Sequence, residues 1–132
     1  MKVDKKLVRL EEMPLWKEVC ELAEYMYSKL HEFTDQEKWG TQSKLRTSAN
    51  DLMFVVSRAL GDASPSGSEY EWGQARKHAA ALKTMYRFAC RQHFIELEPA
   101  IMVRLDNLFA LIDAEVDKAY QQTKEANDKE LD

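Results

Sequence analysis

Apolar residues recur at steps of three and four along most of this chain, which is the spacing of an amphipathic α-helix. The first such segment begins at Pro14 and carries apolar residues from Leu15 to Phe33, while charged residues fill most of the gaps. Proline is tolerated at the first position of a helix. Three further segments show the same spacing. The pattern predicts helices at about 14–33, 42–60, 69–95 and 99–124.

Two short breaks surround the second of these segments. Thr34 and Glu37 have the spacing of a capping box, which predicts a short helical turn over 34–39 that ends at Gly40. Residues 61–67 contain glycine, serine and proline and predict the longest loop of the chain. These breaks make each pair of helices a hairpin.

The last two segments carry their own boundary signals. Ser68 and Glu71 again have capping-box spacing, which predicts that the third helix starts near residue 69. Pro99 marks the start of the fourth helix, because the residue before a proline is disfavoured in the α conformation. Residues 124–132 are largely charged, and we expect this tail to fray.

Four helices joined by short connections predict an all-α fold, an antiparallel up-and-down four-helix bundle. Composition agrees with this prediction. The chain has 132 residues, of which 45% are hydrophobic and 32% charged, and it contains only 4 glycines and 3 prolines. An all-β fold would need more turn residues. We expect residues 1–132 to form a single domain.

The sequence offers no signal for a membrane or an export pathway. The first residues carry charges throughout and lack an apolar signal-peptide core, and no long uncharged apolar window follows. We therefore expect a cytoplasmic protein. In that reducing compartment Cys20 and Cys90 are expected to be free thiols that act as small core residues.

Catalytic and metal-binding signatures are also missing from the sequence. It contains no Gly-rich phosphate loop, GxSxG, HExxH or paired CxxC motif. His31, His78 and His93 do not have the spacing of a zinc site, and no Glu-x-x-His motif of a di-iron bundle occurs. We expect a protein that is not an enzyme and has no cofactor. The methionines and most aromatic residues are expected to pack in the core.

One charge pattern points to a binding function. Between Gln74 and His93 the chain has five basic residues and no acidic one. Four of them fall within an arc of roughly 80° on the third helix: Arg76, Lys83, Arg87 and Arg91. An acid-free basic face of this kind can follow a phosphate backbone, or it can be an ordinary solvated surface.

The charges are distributed unevenly along the chain. The formal net charge is −4, and the sequence pI is about 5.5, so a field that is basic over the whole molecule is excluded. From Pro99 onward four basic residues stand against eight acidic ones, a balance of −4. This asymmetry favours head-to-tail assembly or simply serves solubility.

Several short motifs occur in a familiar order. In the first half they are Leu15-Trp16, Tyr27, Phe33, Glu37-Lys38-Trp39-Gly40 and Ser43-Lys44-Leu45-Arg46-Thr47-Ser48-Ala49, and in the second half Leu82-Lys83-Thr84-Met85-Tyr86-Arg87-Phe88-Ala89. In this order, over roughly residues 15–120, they resemble a superfamily of small bacterial four-helix bundles. The superfamily comprises the proteins encoded by intervening sequences of ribosomal RNA genes and the accessory variability determinant (Avd) of diversity-generating retroelements.

The resemblance implies a non-enzymatic bundle that assembles with copies of itself into a ring, typically a pentamer. In the Avd branch the ring binds a reverse transcriptase and nucleic acid, RNA or DNA. Lys44 and Arg46 match basic positions of the family and join the candidate nucleic-acid-binding residues. The expected function is that of an Avd-like nucleic-acid-binding accessory factor.

The alternative function is a ring that binds only protein partners. Two departures from the family favour it. Residues 55–61 stand where the ribosomal-RNA branch usually has an Asn-Ile-Ala-Glu-Gly stretch, and the chain is acidic where Avd proteins are basic.

Overall fold

The computed structural model describes residues 10–61 and 65–131, apart from the side chains of residues 65–67 and 131. These residues form four long α-helices and two short 3-10 helices, and they contain no β-strand. The helices are α1 (Pro14–Lys29), α2 (Thr41–Gly61), α3 (Pro65–Arg91) and α4 (Pro99–Leu131), with 3-10 turns at Leu30–Glu32 and Asp35–Glu37. The predicted all-α four-helix bundle is confirmed.

The contacts between the helices show that the bundle has an up-and-down arrangement. Each helix packs against the next one in the chain, and α4 returns to pack against α1. The indole Nε1 of Trp16, near the start of α1, donates to Ser57 Oγ, near the end of α2, over 3.2 Å. Early residues of one helix therefore meet late residues of the next, and neighbouring helices run antiparallel.

The core fills the space between the four helices with mostly aliphatic residues and three aromatic ones, Phe33, Trp72 and Tyr86. The largest side chains that are completely buried are Tyr86, Leu22, Met26, Leu45, Leu52, Leu82, Leu108, Ile112, Val19 and Val56. They recur at steps of three and four within each helix, as the sequence pattern predicts. Among the described residues, no buried side-chain nitrogen or oxygen lacks a hydrogen-bond partner.

Two aromatic residues differ from the sequence-based expectation. Tyr27, which we expected in the core stripe of α1, is 45% exposed. Trp72, for which the pattern gave no prediction, is 4% exposed and belongs to the core. Apolar steps of three and four leave the edge of a stripe undefined, so packing decides which edge residue turns inward.

The observed boundaries of α3 lie four residues earlier than predicted at each end. Residues 62–64 of the predicted loop lie outside the described residues, but Pro65 already begins α3. Proline suits that position because the first helical N–H has no intrahelical partner to lose. Ser68 consequently lies within the helix, and its predicted capping box with Glu71 is wrong. Glu71 instead binds Arg58 of α2 over 3.0 Å.

The predicted capping box at Thr34 is also wrong. Thr34 precedes the second 3-10 turn and makes no side-chain cap hydrogen bond. Glu37 Oε2 instead accepts from the backbone N–H of Thr41, the first residue of α2, over 3.4 Å. The carboxylate thus serves the next helix rather than its own turn.

The fourth helix is longer than expected. It continues to Leu131, whereas the sequence predicted an end near residue 124 and a frayed tail. Lysine and glutamate are good helix formers, and no glycine or proline interrupts the segment. Among the described residues, no helix combines the length and apolar character needed to cross a membrane.

Candidate functional site

The outer side of α3 carries the basic face predicted from the sequence. Alanines and leucines on the opposite side, such as Ala79 and Leu82, are buried against α2 and α4. The four cations of the face therefore point away from the core. The structure divides them into two pairs with different surroundings.

Arg76 and Lys83, the first pair, are neutralised by α4. Arg76 Nη1 lies 3.0 Å from Asp113 Oδ1, and Lys83 forms an ion pair with Asp106. The two cations are seven residues apart on α3, and the two aspartates are seven residues apart on α4. Seven residues are about two helical turns, so the two ion pairs lie two turns apart along the same pair of antiparallel helices. Both ion pairs are solvent-exposed and each contributes about 1 kcal/mol or less to stability.

Arg87 and Arg91, the second pair, have no such partner. Within the described part of the chain, no carboxylate lies within 4.0 Å of either guanidinium. Both side chains are exposed and line an open groove of about 680 Å³ between α3 and α4. We call it the α3–α4 groove. None of its lining residues is acidic.

Both arginines also border a second groove at the C-terminal end of α3. Its volume is about 720 Å³, and its lining includes Asp106 and Glu96. Asp106 is already paired with Lys83. The acid-free side of the two arginines is therefore the α3–α4 groove.

Phe88 also lines this groove, although the sequence pattern did not point to it as a site residue. Its side chain is 44% exposed, and it lines the groove together with Arg87, Arg91 and the half-buried Phe109. A signal was available in the sequence, because Phe88 lies on the polar side of the helix pattern, next to an arginine. An aromatic ring beside cations is a feature of surfaces that bind unpaired bases.

Lys44 and Arg46, the two cations assigned by resemblance, are not brought together. They flank the buried Leu45, and two residues correspond to about 200° around a helix. Lys44 lines a groove of about 520 Å³ between α2 and α3 with Thr84, which also borders the α3–α4 groove. Arg46 points to a different side of the molecule. None of the four α3 cations lines the groove of Lys44, so the structure groups neither Lys44 nor Arg46 with the α3 face.

A second exposed surface lies on the outer side of α4, opposite its buried residues. Val103 is 57% exposed and Leu111 is 54% exposed. Together with their neighbours on the same helical face they form a charge-free stripe, which we call the α4 outer stripe: Ala100, Val103, Asn107, Ala110, Leu111 and Ala114. Large exposed apolar residues that form a row are typical of interaction surfaces.

Two tyrosines join three helices at the end of the bundle where α4 begins. The hydroxyls of Tyr25 and Tyr86 are 3.3 Å apart, and Tyr86 Oη accepts from the backbone N–H of Glu98 over 3.1 Å. Burial raises the pKa of both tyrosines. The cluster is a hydrogen-bonded link between α1, α3 and the start of α4.

Cys20 and Cys90 are free, as predicted, but they are half-buried and, contrary to expectation, not among the buried core residues. Burial raises the pKa of both thiols, which disfavours the reactive thiolate. Among residues 10–61 and 65–131, no group of three His, Cys, Asp or Glu side chains is arranged to hold a metal ion.

No protein-family model matches the chain, and no curated protein matches it. The resemblance to the intervening-sequence and Avd proteins therefore stays a prediction.

Proposed function

We propose that this protein is a non-enzymatic, self-associating four-helix bundle that binds nucleic acid, as an accessory factor of the Avd type for a reverse transcriptase. The observation that carries the nucleic-acid proposal is the pair Arg87 and Arg91. They are exposed cations, one turn apart, that have no carboxylate partner among the described residues and lie beside a groove without acidic lining residues. Phosphate groups are the ligands that such arginines bind best, because the guanidinium matches their geometry.

The net charge of the molecule limits how this binding can work. At −4 the protein as a whole repels a polyanion, so attraction must come from a local field on one face. We therefore expect moderate affinity that falls steeply with salt, because each neutralised phosphate releases counterions.

The test compares two double variants on the same helix. Arg87→Gln/Arg91→Gln removes the unpaired cations, and Arg76→Gln/Lys83→Gln removes the same charge from the paired ones. We expect the first variant to lose at least about tenfold in affinity for RNA or duplex DNA and to lower the log–log salt slope by about two. The second variant should change affinity less, because Arg76 does not line the groove and Lys83, which does, is already held by Asp106 of α4.

A titration at several salt concentrations measures both quantities. Lack of binding by the natural protein at low salt would contradict the proposal. Equal losses in the two variants would mean that only the overall field matters, which contradicts a site at Arg87 and Arg91.

The second candidate function is a ring that binds protein partners only. It is supported by the α4 outer stripe, whose exposed Val103 and Leu111 suit a protein interface. The ion pairs that Arg76 and Lys83 form with aspartates of α4 also favour it, because they neutralise two of the four cations of the basic face. Co-purification of a protein partner that survives nuclease treatment would support this function over the first.

A further inference from the structure

We infer that the α3–α4 groove takes single-stranded nucleic acid, with an unpaired base stacked on the ring of Phe88. This inference rests on the proposed nucleic-acid function and specifies its ligand. A basic face explains contacts to phosphates only, whereas this site also contacts a base.

The lining of the groove combines two kinds of side chain, cationic and aromatic. Arg87 and Arg91 supply cations for a backbone, while Phe88 and Phe109 supply apolar surface in the same groove of about 680 Å³. Sites for single strands combine these two features, a positively charged groove for the backbone and aromatic rings for the bases.

Among the described residues, Phe88 is not one of the hydrophobic side chains that form the core or pack against it. The core residues of α3, such as Leu82 and Tyr86, lie on the other side of the helix and are fully buried. Among the described residues, no other aromatic ring or cation stacks on Phe88. A phenyl ring that stays exposed to water contributes less hydrophobic free energy than a buried one, and a stacked base would remove part of its surface from water.

Phe54 on α2 provides a natural comparison within the same molecule. It is 61% exposed, but the guanidinium carbon of Arg58 lies 5.0 Å from the centre of its ring. Arg58 is in turn held by Glu71. The cation at Phe54 is therefore already engaged within the protein, whereas the arginines beside Phe88 are not.

A duplex does not satisfy both contacts. Its bases are stacked on one another, so their faces are closed to a protein side chain, and only the backbone and the groove edges are offered. An unpaired strand exposes base faces as well as phosphates. We therefore expect the protein to prefer single strands over duplexes.

The experiment measures binding to three labelled probes by fluorescence anisotropy: an oligo(dT), an oligo(U) of equal length, and a fully paired DNA hairpin of the same total length whose stem is closed by a non-nucleotide linker. The natural protein should bind the single strands several-fold more tightly than the hairpin. Phe88→Ala should weaken single-strand binding by roughly tenfold and leave hairpin binding unchanged, the effect expected from one lost stacking contact. The two single-stranded probes distinguish DNA from RNA as the ligand.

Three variants serve as controls. Phe88→Trp keeps a stacking ring and should bind as the natural protein does, while Phe88→Leu keeps an apolar side chain without the ring and should bind as Phe88→Ala does. Phe54→Ala removes an equally exposed ring from another helix and should leave all three affinities unchanged. Circular dichroism checks that each variant is folded.

The outcomes separate this inference from the function on which it rests. Binding that is equal for single strands and hairpin, or unaffected by Phe88→Ala and Phe88→Leu, overturns the stacking site but leaves nucleic-acid binding intact. Lack of binding to any probe at low salt overturns both.

Discussion

At the end of α3, one residue stops a helix that the sequence pattern would continue. His93 has φ 63°, in the left-handed region. Its N–H donates to the carbonyl of Cys90 over 3.1 Å, and the N–H of Phe94 donates to Ala89 over 3.0 Å. This pair of bonds is the Schellman motif, which usually has glycine at the position of His93. The sequence predicted a helix to residue 95 because no glycine marks the turn.

Replacing His93 with glycine should stabilise the protein. Glycine adopts the left-handed conformation without the Cβ clash that a histidine pays for, so we expect His93→Gly to raise the free energy of unfolding by about 0.5–1 kcal/mol. Urea denaturation measures the change. The matched control is Gln121→Gly, at an exposed position inside α4, which should lower stability by about 1 kcal/mol. Destabilisation by His93→Gly would contradict the motif.

The pair of half-buried Tyr25 and buried Tyr86 should make the protein's stability sensitive to alkaline pH. Burial raises the pKa of Tyr25, so the folded protein keeps a proton that the unfolded chain loses above its ordinary pKa of about 10. The unfolded state then binds fewer protons, and stability falls as pH rises. This contribution is complete below about pH 10 and declines above it.

Tyr25→Phe should therefore flatten the alkaline part of the stability curve. We expect the urea midpoint of this variant to fall less between about pH 9 and about pH 11 than that of the natural protein. Tyr27→Phe, at an exposed tyrosine of the same helix, is the control. If the two variants give the same slope, Tyr25 does not titrate abnormally.

At the scale of helices, α4 forms ion pairs with both of its neighbours, and these ion pairs differ in the number of carboxylates that each arginine binds. On the α1 side, Arg104 Nε donates to Glu18 Oε1 over 3.0 Å, and Arg104 Nη2 donates to Glu21 Oε2 over 2.8 Å. The hydrogen bonds to Glu18 raise the pKa of Arg104. On the α3 side, Arg76 makes one exposed contact with Asp113. Arg104 thus binds two carboxylates of α1, whereas Arg76 binds only one carboxylate of α4.

Removing Arg104 should cost more than removing Arg76. We expect Arg104→Ala to lower the free energy of unfolding by about 1–2 kcal/mol, because several charge-assisted bonds are lost and two carboxylates remain side by side. Arg76→Ala should cost less than about 1 kcal/mol. Urea denaturation of both variants, repeated in high salt, measures the difference. Equal costs would show that the arrangement at Arg104 adds nothing to an ordinary surface pair.

At the scale of the whole molecule, the α4 outer stripe is an exposed apolar surface suited to the proposed self-association. Val103 and Leu111 are exposed on a helix that is otherwise rich in charge. A contact through this stripe would bury large apolar side chains, the main favourable contribution to association.

A charge introduced into the stripe should weaken the proposed self-association. We expect the natural protein to sediment well above its monomer mass of 15.4 kDa, and Leu111→Glu to shift it toward the monomer because a carboxylate would be buried without a partner. Tyr27→Glu places the same charge at another exposed site and should leave the mass unchanged. Analytical ultracentrifugation measures both. A monomeric natural protein at high concentration would contradict the proposed self-association.

The sequence by itself determined the fold class, because steps of three and four apolar residues allow little but amphipathic helices that bury one side against each other. It also indicated which side of α2 and of α4 faces the core, the side on which Leu45 and Ile112 are buried. Helix ends were determined less well, since capping-box spacing at Thr34 and Ser68 occurs in other contexts, and His93 ends α3 without the usual glycine.

Only the tertiary structure decided what the basic face of α3 is. The sequence placed Arg76, Lys83, Arg87 and Arg91 on one arc, but an arc on one helix carries no information about the neighbouring helix. The antiparallel register of α4 brings Asp113 and Asp106 to the first two cations and leaves the other two beside Phe88 and an open groove. Ion pairing depends on distances of a few ångströms across an interface, and those distances exist only once the helices have packed.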